Sequence, residues 1–326
     1  MNVETARVGL SLLEEGEDFA WVSIVDSQGS SPRRAGASML VRAGGSITGT
    51  VGGGALEAAA IRNALKVLES RKPFLMDYHL TEGDAAQLGM ICGGQGLVLI
   101  DYADSRQPAT HELFQGLVDL LVRGQKGWLV TAVSEGETET TVARGLVAGG
   151  TYDQIVAGDP STTYVQPVGS RGTAYIFGAG HCGAKLLPVL SMVGFFTVVV
   201  DDRADFATEE RFPDADRIVV PESFETSMQP LPIDEDAYIV ILTRGHVHDR
   251  NVLRQALGTR AGYIGMIGSK TKIAQTFQAL EEEGFTPDDL ARVHSPIGLT
   301  IAAETPEEIA ISIAAELIQV RATRDG

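Results

Sequence analysis

Between residues 3 and 15 apolar side chains return at Ala6, Leu10 and Leu13, a helical spacing, and FAWVSIVDS after them has the β-branched and aromatic content of a strand. A turn signal, GSSPRRAG, separates it from a second strand, ASMLV. SITGTV is a third, ending at glycines 52 to 54, and the next segment places Leu56, Ala60, Ala64, Leu65 and Leu68 along one helical side. FLMDYHL and GLVLIDYA are strands flanking the glycine-rich loop TEGDAAQLGMICGGQG. Leu113, Leu117, Leu120 and Leu121 make one more amphipathic helix, closed by Gly124. From 127 to 168 the chain is rich in Val, Thr and turn residues, which suggests a small hairpin-like connector.

From residue 171 the rhythm changes. TAYIF, FFTVVV, RIVV, AYIVILT, GYIGMI and a short RVH are apolar runs separated by helical stretches, the alternation of a parallel sheet covered on both faces. The expected fold is therefore α/β, with a C-terminal Rossmann-like doubly wound parallel sheet preceded by a smaller, mixed α/β N-terminal domain. The expected division is 1–125, a β-rich connector at 126–170, and 171–326. TPEE opens the last helix, with Thr305 as cap, Pro306 in the first turn and Glu308 completing a capping box.

At TAYIFGAGHCG the first of these strands runs into Gly178, Gly180 and Gly183, the G-x-G-x-x-G spacing. Gly178 permits a tight turn, Gly180 lets backbone approach a phosphate, and Gly183 lets the following helix pack on the sheet, while the helix start offers free N–H groups to an anion. Asp201 and Asp202 end the next strand, about 20 residues on, where an acid would grip a nucleotide ribose. The bland alternative is a doubly wound domain that binds nothing at this point. RGHVHDR follows the AYIVILT strand and brings His246, His248 and Asp249 to the same end of the sheet, with His181 and His294 at equivalent strand ends. His-x-His is a metal pair in principle, but no third ligand is fixed by spacing, and loop histidines more often bond phosphate or backbone. GSKTK lacks the phosphate-loop spacing of G-x-x-x-x-G-K-[ST].

Charge narrows the partners. The chain has 326 residues and a formal net charge of -17, spread along its length, which argues against nucleic acid and anionic membranes. Any anionic ligand must then be held by local N–H groups or a few arginines such as Arg33 and Arg34, which otherwise form a solvated pair. Glycines 52, 53 and 54 at a helix start are a second anion candidate, and Glu57 in that first turn is either a cap or part of the site. The chain has two cysteines, Cys92 and Cys182, too few for a disulfide scaffold or a Cys-rich zinc site, which fits a reducing cytoplasm. The N-terminus lacks the basic and apolar regions of a signal peptide, and no apolar run reaches membrane-spanning length. Cys92 precedes Gly93 and Gly94, whose N–H groups could stabilise a thiolate; buried inert filler is the alternative.

Taken together, GSSPRRAGASMLV, GTVGGGALE, GMICGGQG, IFGAGHCG, VVVDDRADFATEERFPDAD, TRGHVHDRNVL, YIGMIGSKTK and SPIGLTIAAETPEEIAISIAAELI resemble, in order and over nearly the whole chain, the XdhC/CoxI-type maturation factors of molybdenum hydroxylases. The sequence departs from that pattern at Ala55, Cys182, Thr300 and Ala302. The resemblance implies an accessory protein that binds molybdenum cofactor (molybdopterin), protects it during sulfuration and delivers it to an apo-hydroxylase of the xanthine dehydrogenase type. A cysteine desulfurase would supply sulfur, and the factor would be a homodimer. Cys92 is then the candidate for molybdenum or sulfur contact, since a soft thiolate suits both. The rival classes are an NAD-dependent oxidoreductase, for which the N-terminal half offers no recognisable acid/base pair, and a metal-dependent hydrolase using the histidines.

Overall fold

The computed structural model describes residues 1–29, 36–80, 94–135, 140–149, 155, 163–169 and 172–324. These fall into two compact units, Met1–Gly169 and Ser170–Gly326.

The first unit is built on an antiparallel five-stranded sheet. Its strands are β1 (Phe19–Gly29), β2 (Ser38–Arg42), β3 (Ile47–Gly49), β4 (Phe74–Leu80) and β5 (Gly94–Ala103), in the order β3-β2-β1-β5-β4. Alternation in β1 assigns its residues to two cores. Ala20, Val22 and Ile24 pack with Leu56, Ala60, Ala64 and Val67 of α2 (Gly54–Ser70). On the opposite face Phe19 and Trp21 pack with Ala6, Leu12 and Leu13 of α1 (Val3–Glu14) and with Phe114, Leu117 and Leu120 of α3 (Pro108–Val122). The stretch expected as a connector is a three-stranded antiparallel sheet of β6 (Lys126–Glu135), β7 (Thr140–Ala148) and β8 (Thr163–Gly169), ordered β7-β6-β8. It belongs to the first unit, because Leu129 and Val168 enter the α1/α3 core and Val133 packs on Val25 and Leu99.

In the second unit β9 (Thr173–Phe177), β10 (Phe196–Val200), β11 (Arg217–Val219), β12 (Ala237–Ile241), β13 (Tyr263–Met266) and β14 (Val293–His294) form a parallel sheet ordered β11-β10-β9-β12-β13-β14. This is the doubly wound order in which the strand sequence reverses between β9 and β12. Tyr175, Phe177, Ile239 and Ile241 face α5 (His246–Leu257) and α6 (Lys270–Glu282), whereas Ala174, Ile176, Tyr238 and Val240 face α4 (His181–Met192) and α8 (Pro306–Arg324). A short α7 (Pro287–Leu290) precedes β14. The capping box expected at α8 forms: Glu308 Oε2 accepts from Thr305 N at 3.1 Å, and Glu308 N donates to Thr305 Oγ1 at 3.2 Å. Among the described residues no helix is long and apolar enough to cross a membrane.

Candidate functional site

The reversal point puts the glycine turn and the RGHVHDR segment side by side at the carboxyl ends of β9 and β12. Gly178 has φ 122°, and a Cβ there would lie 2.3 Å from the Leu242 carbonyl oxygen, so the turn and the end of β12 touch backbone to backbone. A Cβ on Gly183 would lie 2.3 Å from the Gly178 carbonyl oxygen, which is the close packing of α4 on its own turn. Gly180 differs. It is the N-cap of α4, in ordinary extended backbone, and a Cβ added there would meet nothing within 4 Å. Two glycines are thus required by the protein itself, while the third leaves space beside the helix N-terminus. His181 is the first residue of α4 and is exposed.

The two aspartates have partners within the protein. Asp201 is 1 % exposed and accepts four hydrogen bonds: from Ala179 N at 2.8 Å, Arg203 N at 3.0 Å, and Arg203 Nε and Nη2 at 2.9 Å each. Burial acts to raise its pKa, but the hydrogen bonds from Arg203 and Ala179 outweigh it and hold the carboxyl below its ordinary value. Asp201 is therefore an anionic brace that ties the glycine turn to β10. Asp202 is gripped bidentately by Arg244, with Nη2 2.9 Å from Oδ2 and Nη1 on Oδ1. The sequence pattern draws attention to the histidines and does not single out Arg203 or Arg244. The signal was their position, directly after β10 and β12 at the reversal point.

RGHVHDR opens α5, with Gly245 as N-cap. His246 is exposed and lines a shallow pocket with Arg250, Gln275 and Thr276, whereas the His248 ring packs on Phe224 at 5.3 Å between centroids. Asp249 is fully buried. Its Oδ1 accepts from Thr243 N at 3.1 Å and Thr243 Oγ1 at 2.5 Å, and Lys272 of the GSKTK segment reaches its Oδ2. Lys272 thus already has a carboxylate partner. Among the described residues no group of three His, Cys, Asp or Glu side chains could hold a metal ion.

In the first unit Gly52, Gly53 and Gly54 have φ of 125°, 76° and 59°, a run that side chains rarely adopt. Glu57 Oε2 accepts from Thr50 Oγ1 at 2.5 Å, Val51 N at 3.2 Å and Gly53 N at 3.3 Å, which is the capping role. Gly94 pairs with both Gly29 and Leu80, so β1, β4 and β5 meet at one end of the sheet. Arg33, Arg34, Cys92 and Gly93 lie outside the described residues.

Cys182, in the first turn of α4, has a raised pKa, first because it is partly buried and second because Glu307 is near. A helix N-terminus favours thiolate, but here burial outweighs it. Site-resolved mass spectrometry should find Cys182 alkylated by iodoacetamide at pH 7.5 more slowly than a free cysteine in a short peptide. An equal rate would show that the helix terminus prevails.

The fold and the turn define a Rossmann-type domain with a glycine turn that can receive a phosphate. Residues 174–317 match the XdhC Rossmann domain, and residues 12–79 match the XdhC and CoxI family. The chain belongs to the XdhC/CoxI family. It is 29% identical over its full length to YqeB of Escherichia coli (strain K12), of which it spans 47%. It is 26% identical to a probable xanthine dehydrogenase subunit of Bacillus subtilis (strain 168), covering 95% of this chain and 96% of that one. It is 23% identical to the molybdenum cofactor insertion chaperone PaoD of Escherichia coli (strain K12), covering 97% and 87%. A crystal structure described as a xanthine dehydrogenase from Bacillus halodurans superposes with a TM-score of 0.79 at 29% identity, covering 99% of this chain and 97% of that one.

Proposed function

We propose that this protein is a maturation factor that binds molybdenum cofactor and hands its sulfurated form to a molybdenum hydroxylase of the xanthine dehydrogenase type. The observation that carries the reading is Gly180: in a chain of this family, the one fingerprint glycine with nothing packed against it stands at a helix N-terminus, where the phosphate of the pterin cargo can approach backbone N–H groups. Cys92 supplies a soft contact for molybdenum or its sulfur, with Arg33, Gly52, Gly53, Gly54, Gly93 and Gly94 as further contacts from the first unit. Gly178, Gly183, His181, Asp201, Asp202, His246, His248 and Asp249 are the further candidate contacts, at the glycine-turn end of the parallel sheet. A cysteine desulfurase is the sulfur donor, and the protein acts in the cytoplasm as a homodimer. The oxidoreductase reading is disfavoured because Asp201, the first acid at the ribose-gripping position, is held by the Arg203 fork and the Ala179 N–H.

Equilibrium binding of molybdenum cofactor released anaerobically from a hydroxylase tests this, together with activation of the apo-hydroxylase by cofactor, desulfurase and cysteine. The protein should bind cofactor and raise the yield of active hydroxylase, and Cys92→Ser should fold normally yet bind more weakly. Absence of binding and of stimulation would overturn the reading, and steady NADH production from a small alcohol or hydroxy acid would replace it.

A further inference from the structure

Asp202 follows β10 and Arg244 follows β12, and in the sheet these strands flank β9 on either side. Their carboxyl ends are separated by two strand spacings, about 9.6 Å. The bidentate Arg244 to Asp202 pair therefore spans the mouth of the glycine turn that follows β9. The Arg244 side chain is 36 % exposed and that of Asp202 13 %, and Arg244 reaches the buried Asp201 only at long range, with Nη1 3.9 Å from Oδ1. The neighbouring pair is different, because Asp201 is buried and Arg203 is fixed both by it and by the Phe206 ring at 3.6 Å. Of the two arginines at the turn, only Arg244 can change partner without dismantling the turn. Its guanidinium also keeps a place beside the Phe224 ring, 5.7 Å from the centroid, which limits how far it swings.

We infer that the Asp202 to Arg244 ion pair is a latch over the glycine turn, and that Arg244 is the phosphate-recognising side chain of this site. Resting on the reading that the turn receives a phosphate-bearing cargo, the inference adds which side chain reads the phosphate and what competes with it. A phosphate dianion offers the planar fork the same bidentate geometry as the carboxylate, with more charge, so it draws Arg244 away from Asp202. A ligand that presents only a ribose diol cannot make that exchange. Asp202 thereby acts as an internal competitor that keeps affinity moderate, as suits a protein that must release what it carries.

The full-length protein is titrated calorimetrically with adenosine 5′-monophosphate, adenosine and inorganic phosphate, and separately with released molybdenum cofactor. Asp202→Asn removes the competitor and should bind the phosphate probes about five- to tenfold more tightly, while Arg244→Gln should bind them about tenfold more weakly and Arg244→Lys fall between. The double variant should behave as Arg244→Gln, and adenosine should bind none of them measurably. Circular dichroism establishes that each variant folds. Weaker or unchanged phosphate binding in Asp202→Asn overturns the latch, as does unchanged binding in Arg244→Gln. If the phosphate probes follow the expected order and molybdenum cofactor does not bind, the latch stands and the cargo assignment falls. Cofactor binding that ignores both substitutions leaves the cargo assignment standing and overturns the latch, and wild type that binds none of the probes overturns both.

Discussion

Gly180→Val should fold and bind the phosphate-bearing cargo about tenfold more weakly or worse, whereas Gly178→Val should lose roughly 2–4 kcal/mol of stability whether or not a ligand is present. The two positions lie two residues apart in one turn and differ in what a side chain would meet. At Gly178 the backbone is at φ 122° and a Cβ would stand 2.3 Å from the Leu242 carbonyl oxygen, so a branched residue is strained and pushes β9 away from β12. At Gly180 the backbone is extended and the Cβ position is open. The stability loss there is at most about 1 kcal/mol, the difference between Gly and Val as an N-cap, while the side chain fills the space through which a phosphate reaches the first N–H groups of α4. Gly183→Ala belongs with Gly178, since its Cβ would meet the Gly178 carbonyl oxygen at 2.3 Å. Thermal unfolding and calorimetric titration of the three variants separate the effects. Unchanged cargo affinity in Gly180→Val would mean that the open space at Gly180 has no role in binding.

Much of this arrangement is legible in the sequence because it is local. The apolar runs after residue 171, their alternation with helices and the spacing of the three glycines are each set within a few residues, and together they give a doubly wound sheet with its turn at the reversal point. The capping box at Thr305 and Glu308 is local in the same way. Occupancy is not local. The interval from Gly178 to Asp201 places an acid where a ribose would lie, but it does not reveal that Ala179 N and the Arg203 fork fill that carboxylate. For Glu57 both readings stay open until the three donors around Oε2 are seen. Asp249 and Lys272 belong to separate motifs, and only the packing of α5 beside α6 makes them an ion pair. The sheet of β6, β7 and β8 is visible as turn-rich strand sequence, yet its place in the first unit depends on Leu129, Val133 and Val168 meeting cores assembled from residues more than a hundred positions away in part.

The same non-locality hides the most consequential polar contact of the first unit, which leads to the second large expected effect: Arg144→Leu should destabilise the protein by roughly 3–5 kcal/mol near pH 8 and by less near pH 5. Arg144 comes from β7 with a side chain only 5 % exposed, its guanidinium 3.8 Å above the Trp21 ring and its Nη1 3.3 Å from Asp101 Oδ2. Trp21 and Asp101 are direct cross-strand partners in β1 and β5, so three distant stretches of chain converge on one ion pair, its arginine buried and its aspartate 20 % exposed. Burial raises the Asp101 pKa, and the opposing pull of Arg144 and of the Tyr102 N–H does not cancel it. An acid with a raised folded-state pKa contributes stability below its unfolded pKa and loses that contribution as pH rises through the folded value. With the arginine gone, the force lowering that pKa weakens, the folded value climbs further, and the window of loss widens toward neutral pH. Urea unfolding of Arg144→Leu across pH 5–8 should therefore show stability falling with pH more steeply than in wild type. The double variant Asp101→Asn/Arg144→Leu removes the stranded carboxylate and should regain much of the loss with no extra pH dependence. If the single and double variants are equally unstable at every pH, the contribution of Arg144 is its stacking on Trp21, and Asp101 is not the group that makes its removal costly.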